Sequence, residues 1–377
     1  MSDKSLFDLY TDYLIAQMGP ATATDMSRLL DEAVSHDRIS RFLGHRQLTQ
    51  KDYWKCIKPL IRRVETPAGL IKVDDTIEEK PHSTENDIIA WHWDHSKNRH
   101  VKGINMINFL YSSAPLGVAR PLSIPVAFEI IEKTERFYDP KTKKVKRRSS
   151  RKKNEIVRER LRILHHYNKV QFRYVLWDSW FSTTDNFNLV HYELKKYFVA
   201  ALKGNRKVAL SLEDKLAGKF YQVQELDELE GRCIRVWIKG LDFPVTLTKR
   251  VFTNKDRSTG EQYIVTNDLE LCDAVQLSTT YDKRWDVEVL HRGLKQNVGL
   301  DRSPTKNEIT QSNHIFAAMI AWAKLELLSL KHHLGHYAIK YKLYVNALKA
   351  SFAKLQDLKQ QTSYLEAGSA KQIPRLG

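Results

Sequence analysis

Cysteine is scarce. The 377 residues hold three, Cys56, Cys233 and Cys272, far apart and without a CxxC pair or a zinc-ligand spacing. That excludes a disulfide framework and a cysteine-built zinc centre, and predicts reduced thiols in a cytoplasmic protein. Long apolar runs are also missing. The most apolar stretch, Ile315-Phe-Ala-Ala-Met-Ile-Ala-Trp-Ala, falls far short of the roughly 20 residues a membrane helix needs and is predicted to be a buried helix. No signal-peptide pattern is present, so no membrane partner is expected. There is no GxxxxGK[ST] phosphate loop, which argues against ATP-driven chemistry. No internal repeat is found. His92, His95 and His100 lie close in sequence, but within a polar connection, and are predicted to be surface residues. So is the His165-His166 pair.

Acidic residues are short too: 45 Asp and Glu against 61 Lys and Arg, a net charge of +16. Such a surplus says nothing about fold but suits a polyanionic partner. The surplus is local. Residues 141–162 hold twelve Lys and Arg against two Glu, whereas residues 1–70 hold ten against nine. The basic run Lys141–Lys153, with Lys143, Lys144, Lys146, Arg147, Arg148, Arg151, Lys152 and Lys153, is expected to be a flexible cationic loop that binds backbone phosphates without reading sequence.

Residues 1–66 read as a helical domain. Leu6, Leu9, Tyr10, Tyr13 and Leu14 recur at helical spacing up to Gly19-Pro20. Thr24 is the expected cap of a helix through Ala33, and Ser35 of one through Leu43. A fourth helix is expected near Gln50–Arg63. Short helices and tight turns are compatible with helix-turn-helix DNA binding.

From Ala68 the pattern turns to strands. Gly69–Thr76 is a short apolar strand ending in Asp74 and Asp75. Val101–Leu110 and Pro121–Ile131 follow. After the basic run come a helix near Asn154–Tyr167 and a strand, Phe172–Trp177, ending at Asp178. A helix capped by Thr183 or Thr184 then runs to Lys196, and a strand spans Tyr197–Leu202. This order predicts an α/β chain with an RNase H-like core: a mixed five-stranded sheet with flanking helices, functional groups at strand ends. Residues 67–203 form its first part. Residues 204–267 read as a β-rich insertion, with strands near Cys233–Lys239, Val245–Phe252 and Gln262–Thr266 and a turn at Gly240-Leu-Asp242. Residues 268–305 return to the core. Residues 306–377 are a helical C-terminal region with helices near 309–334 and 337–355 and a disordered polar tail after Gln360.

One further stretch organises the rest. Tyr281, Arg284, Glu288 and Lys295 stand at offsets 0, 3, 7 and 14. On one continuous helix, at roughly 100° per residue, they fall within about 60° of arc. Arg292 joins that stripe, and Val287, Leu290 and Leu294 point the other way. The plain alternative is a solvated Arg284–Glu288 pair.

The spacing Y-x2-R-x3-E-x6-K resembles the signature box of DDE insertion-sequence transposases of the insertion-sequence-four-like group. The resemblance implies that Glu288 is the third carboxylate of a metal-binding triad, and that Tyr281, Arg284 and Lys295 contact DNA phosphates near the cleaved end. It makes Asp74, in an Asp-x-Thr pattern, the first choice for the first carboxylate, with Asp75 the alternative, and Asp178 the second. Phosphodiester cleavage needs an activated oxygen and a stabilised leaving oxygen. Two Mg²⁺ ions about 4 Å apart, or Mn²⁺ in their place, supply both, and carboxylates suit them. The resemblance further implies duplex DNA as partner, a homodimer holding two ends, a helical N-terminal domain that binds those ends, a β-strand insertion before the Glu, and an aromatic residue that holds a flipped base. Trp177 and Trp180 flank Asp178, and one of them is free to be core instead. The competing readings are another RNase H-like nuclease and a domesticated DNA-binding protein without catalysis.

Overall fold

A computed structural model describes residues 2–95, 97–113, 121–226, 229–253 and 256–369, with the side chains of 361–369 excepted. The chain opens with α1 (Asp3–Ala16), α2 (Ala23–Leu29), α3 (His36–His45) and α4 (Gln50–Val64). Each is capped by a hydroxyl that accepts a backbone N–H three residues on: Ser2, Thr22, Ser35 and Thr49. Thr22 rather than Thr24 caps α2. That helix stops at Leu29, short of Ala33, because Asp31 and Glu32 turn to positive φ (49° and 59°).

The sheet is built around β1 (Leu70–Glu79). The long β3 (Arg99–Ser113) pairs antiparallel with its whole length. The far edge of β3 is shared: β2 (Ile89–Asp94) pairs with its first half and β4 (Leu122–Ile130) with its second. The other edge of β1 pairs parallel with β7 (Tyr174–Trp177), which pairs parallel with β8 (Tyr197–Leu202). A mixed core sheet β4-β3-β1-β7-β8 results. Between β4 and β7 lie β5 (Glu135–Asp139), β6 (Lys144–Arg148) and α5 (Lys153–Arg162), the last widening into a π turn at Ile163–Tyr167. α6 (Thr184–Asn188), capped by Thr183, follows β7 and widens likewise at Leu189–Glu193.

Residues 204–267 are β-rich as expected: β9 (Lys207–Ala209), α7 (Leu212–Leu216), β10 (Tyr221–Gln222), β11 (Cys233–Ile238), β12 (Val245–Thr253) and β13 (Thr259–Thr266). Gly240 (φ +92°) makes the turn between β11 and β12. The segment is not detached. β13 hydrogen-bonds to β8, so one sheet runs on as β8-β13-β12-β11-β9-β10. The chain ends with α8 (Ala274–Asp282), α9 (Asp286–Val298), α10 (Glu308–His332) and α11 (His336–Ser369). α11 runs past Gln360, where a disordered tail was expected. Residues 370–377 lie outside the described residues.

Three expectations need correction. The polar connection expected before Val101 contains a strand, β2, paired with β3. The basic run is not a loop: β5 and β6 form a two-stranded antiparallel ribbon over Glu135–Asp139 and Lys144–Arg148. And β1 does not end at its aspartates but continues to Glu79, because β3 keeps pairing with it after β7 has stopped.

The core is aromatic where α1, α4 and α10 meet β4. Tyr53 stands edge-on to Phe128 and to Phe316, ring centroids 5.2 Å apart in both pairs, and its hydroxyl donates to the Pro125 carbonyl at 2.6 Å. The Asn313 amide donates to the carbonyls of Leu43 and Arg46. The N-terminal helices are thus packed into the same core as the sheet. The apolar run Ile315–Ala323 is buried in α10, as expected. Among the described residues no helix is long and apolar enough to cross a membrane.

Candidate active site

β1 and β7 are in parallel register through Val73 opposite Trp177. The next residues, Asp74 within β1 and Asp178 just past the end of β7, therefore stand side by side. α9 lies over the face of β1 that carries the even-numbered side chains, with Val287, Leu290 and Leu294 buried beneath it. Its close approach to α10 requires Gly293, where a Cβ would stand 2.1 Å from the Trp322 ring.

The Arg284 guanidinium joins the parts. Its Nη1 is 2.7 Å from Asp74 Oδ2 and 3.7 Å from Glu288 Oε1, and the Asp178 carboxylate also acts on it. Burial pushes the Asp74 carboxyl up to about 8. Arg284 opposes this shift, while Asp178, Glu288 and Asp75 add to it. Burial likewise raises Asp178, against Arg284 and the Trp180 N–H that its Oδ1 accepts at 3.0 Å. Asp178 thus caps its own loop, as a loop-starting Asp does, and also faces the cluster. The Asp75 carboxylate points to the opposite face. It accepts from Lys153 at 2.6 Å and from the Asn105 amide at 3.1 Å, while the Asp75 backbone N–H donates to Asp74 Oδ1 at 2.9 Å.

Tyr281, Arg284, Glu288 and Lys295 do not share one helix. α8 ends at Asp282, a tight 3₁₀ turn spans Lys283–Trp285, and α9 begins at Asp286. The break has a packing cause. Leu277 and Tyr281 fill a cluster with Leu176, Val199 and Ile264, whereas Val287, Leu290 and Leu294 belong to the main core, and a straight helix cannot face both. Tyr281 is only 4% exposed, with Arg284 over its ring at 5.9 Å. Lys295 pairs with the buried Glu78 at 3.0 Å. Arg292 is exposed, with no partner among the described residues. In the ribbon segment, Lys146 pairs with Asp139, Arg147 with Asp87, Arg148 with Glu135 and Arg151 with Glu159. Lys143, Lys144 and Lys152 are exposed, and their ammonium groups have no carboxylate partner among the described residues. Trp177 is the core member of its pair, stacked on Phe198, and Trp180 is exposed. His92 is buried rather than at the surface, and burial lowers its pKa to about 3.

Sequence reasoning missed the charges that seat α9. Lys72 is fully buried on β1 and pairs with Asp286, which also accepts from Ser123 at 3.4 Å. Asn108 meets His291 at 2.9 Å. Lys72, Asp74 and Glu78 meet Asp286, Arg284 with Glu288, and Lys295 in turn. One signal was visible: Lys72 stands alone among the apolar residues Leu70, Ile71 and Val73.

The donor set suits a hard divalent cation: carboxylates, one of them buried among others and short of positive charge. In this arrangement the charge they surround is the Arg284 guanidinium. Among the described residues no three His, Cys, Asp or Glu side chains are grouped to hold a metal ion. The residues fit such a cation in kind, then, and their grouping here is around an arginine.

Two family comparisons bear on this geometry. Residues 138–323, which include Asp178 and Glu288, match the family described as "Transposase DDE domain". Residues 3–217, more than half of the chain and including Asp74 and Asp178, match the family described as "DDE superfamily endonuclease". Among curated proteins none matches the chain. Carboxylates on β1, after β7 and on α9 fall within matched stretches that overlap across the core sheet, and the chain belongs to the DDE superfamily endonucleases.

Proposed function

We propose that the chain is a DNA transposase that cuts at the ends of an insertion sequence and joins them to target DNA. Family membership gives the coarser statement, a nuclease of the transposase type acting on DNA. The finer one rests on Arg284, drawn to both Asp74 and Glu288, with Asp178 next to Asp74 by the register of β1 and β7. Asp74, Asp178 and Glu288 would hold the metal, two Mg²⁺ or Mn²⁺ ions, and Asp75 is set aside because Lys153 and Asn105 engage it on the opposite face. Bound there, the cation supplies charge for the attacking and leaving oxygens.

The chain's own residues position the substrate. Arg284 is drawn between Asp74 and Glu288, and its fork of donors suits a phosphate oxygen brought to those carboxylates. Arg292, the ribbon cations Lys143 and Lys144, and Lys152 at the start of α5 offer further phosphate contacts. Lys295 would have to leave Glu78 to add one. Tyr281 acts from beneath Arg284 rather than on DNA. Residues 1–66 would bind the transposon ends, two copies would hold the pair, and the cytoplasm is the setting.

The test is single-turnover cleavage of a duplex carrying the DNA that flanks this gene. Cleavage with Mg²⁺ or Mn²⁺ and none with EDTA is expected, followed by joining of the freed 3′ end to a second duplex. Metal-dependent nicking without joining would reduce the reading to a nuclease. No metal-dependent cleavage would overturn it.

A further inference from the structure

The ribbon of β5 and β6 has two unlike faces. On one, Glu135, Phe137 and Asp139 sit opposite Arg148, Lys146 and Lys144. There Arg148 pairs with Glu135 at 2.8 Å and lies over the Phe137 ring at 5.5 Å, and Lys146 pairs with Asp139. Two of its three cations are thus internally neutralised. On the other face Tyr138 stands directly opposite Val145, and they are 61% and 68% exposed. Arg136 shares that face, and Lys141, Lys143 and Lys144 stand in or beside the turn at its end; all four are exposed, and their side-chain cations have no carboxylate partner among the described residues.

The arm is rooted beside the candidate active site. At its base Arg147 donates to Asp87 at 2.5 Å and to the Lys133 carbonyl at 3.3 Å. Just beyond β6, Lys153 holds Asp75, the neighbour of Asp74. Whatever the arm grips is therefore held at a fixed place relative to the carboxylates.

We propose that this ribbon enters the major groove of duplex DNA and reads base edges through Tyr138 and Val145, with Arg136, Lys141, Lys143 and Lys144 on the flanking phosphates. The inference rests on the DNA reading above and adds sequence readout to it. Dimensions favour it. Two strands about 4.8 Å apart with their side chains fit a major groove about 12 Å wide, and not a minor groove about 6 Å wide. Chemistry favours it as well. Val145 suits a thymine methyl, and the Tyr138 hydroxyl can donate to or accept from a base edge. Two apolar side chains ringed by unpaired cations make a poor protein-binding patch, because the charge selects a polyanion.

The experiment measures binding of the full chain to two 24-base-pair duplexes of one sequence. One carries ordinary cytosine and the other glucosylated 5-hydroxymethylcytosine, which fills the major groove and leaves the phosphates unchanged. Wild type is expected to bind the glucosylated duplex at least tenfold more weakly. Tyr138→Ser with Val145→Ser should cut that ratio to threefold or less while leaving the salt slope intact. Lys143→Gln with Lys144→Gln should do the reverse, making the slope of log K against log salt shallower by roughly 0.9 per lost contact. The substituted side chains are exposed, so thermal stability should not move. A double Ser variant with the wild-type ratio overturns the proposal. So does one that alters the chain's mass in solution instead, which would make the face a protein interface. A wild type that binds neither duplex would sink the DNA reading itself, a different failure from wild type binding both duplexes equally.

Discussion

Two helix seams press against the same sheet, and they are made of opposite materials. Where α1, α4 and α10 meet β4, rings from Phe7, Tyr53, Phe128 and Phe316 interlock edge to face, and the polar atoms among them have partners. Where α9 crosses β1, the buried side chains include Lys72, Asp74 and Glu78. Apolar burial of the first kind stabilises a fold by about 25 cal/mol for each Å² removed from water. Buried charges of the second kind gain little or lose, because desolvation offsets their mutual attraction. A seam that opposes folding is retained for what it does, and the contrast separates the part that holds the molecule together from the part that acts.

Substitution should break the two seams differently. Asp74→Asn, Asp178→Asn and Glu288→Gln are each expected to lower cleavage by about a thousandfold or more, the scale on which removal of one preorganised charge acts. None should lower the melting temperature, since Asp74 and Asp178 resist ionisation where they sit. Phe316→Ala should do the opposite. It should cost about 3–5 kcal/mol of stability and leave the folded fraction able to bind DNA. Denaturant titrations beside cleavage assays separate them. A triad variant that cleaves normally would remove that residue from the site, and one that unfolds would show the seam to be structural.

A pH titration probes the aromatic side. His314 is fully buried. Its Nε2–H donates to the Gly299 carbonyl at 3.0 Å and its Nδ1 accepts from the Tyr10 hydroxyl at 2.9 Å. Burial lowers its pKa from 6.5 to about 4. Between those values the unfolded chain binds a proton that the folded chain lacks. The stabilisation is therefore whole above pH 6.5 and is lost as the pH falls toward 4, by about 3 kcal/mol in all. His314→Gln should flatten this dependence. Parallel pH profiles for the two proteins would exclude His314 as its source.

How much of this was legible follows from where each cause lies. Strands and helices driven by local alternation and hydroxyl caps were readable, as with β1, β7, α3 and α4. So was the apolar run of α10. β2 was not, because Trp91 and Trp93 face solvent while His92 is buried, the reverse of the usual alternation. The ribbon was hidden because cross-strand pairs such as Glu135 with Arg148 look in sequence like an unstructured charge run. The break between α8 and α9 could not be read at all. Its cause is two separate core clusters, a tertiary fact. Asp74, Asp178 and Glu288 stood out as strand-end acids and as part of a spaced motif, whereas Lys72 and Asp286 are 214 positions apart and nothing in the sequence joins the one to the other.

That hidden pair gives a test within the charged seam. Lys72 is wholly buried, whereas the Asp286 side chain is 43% exposed. Removing the exposed partner leaves a buried ammonium, and removing the buried partner leaves an acid that water can reach. Asp286→Ala should therefore destabilise by about 2 kcal/mol, below the figure for fully enclosed pairs. Lys72→Met, close in volume, should cost less than about 1 kcal/mol. Equal losses from the two substitutions would show that the pair contributes through its mutual bond and not through the burial of Lys72.

The smallest effect belongs to Tyr281, and it sharpens the comparison most because that residue lies on the border of both kinds of packing. The resemblance makes its hydroxyl a phosphate ligand. In the fold the ring is buried with Leu277 and Ile264, burial raises its pKa to about 12, and the Arg284 guanidinium lies over the ring at 5.9 Å. If the ring only steadies Arg284, Tyr281→Phe keeps both the ring contact and the packing and removes at most one polar interaction worth about 1 kcal/mol. Cleavage should then fall by no more than about fivefold, with DNA affinity unchanged. Tyr281→Ala should lose stability as well, because the cavity lies in the core. If the hydroxyl instead met a phosphate directly, Tyr281→Phe would weaken DNA binding and make its salt dependence shallower. An unchanged affinity together with a modest loss in rate places Tyr281 beneath the site, supporting the arginine that α9 and β1 hold between them.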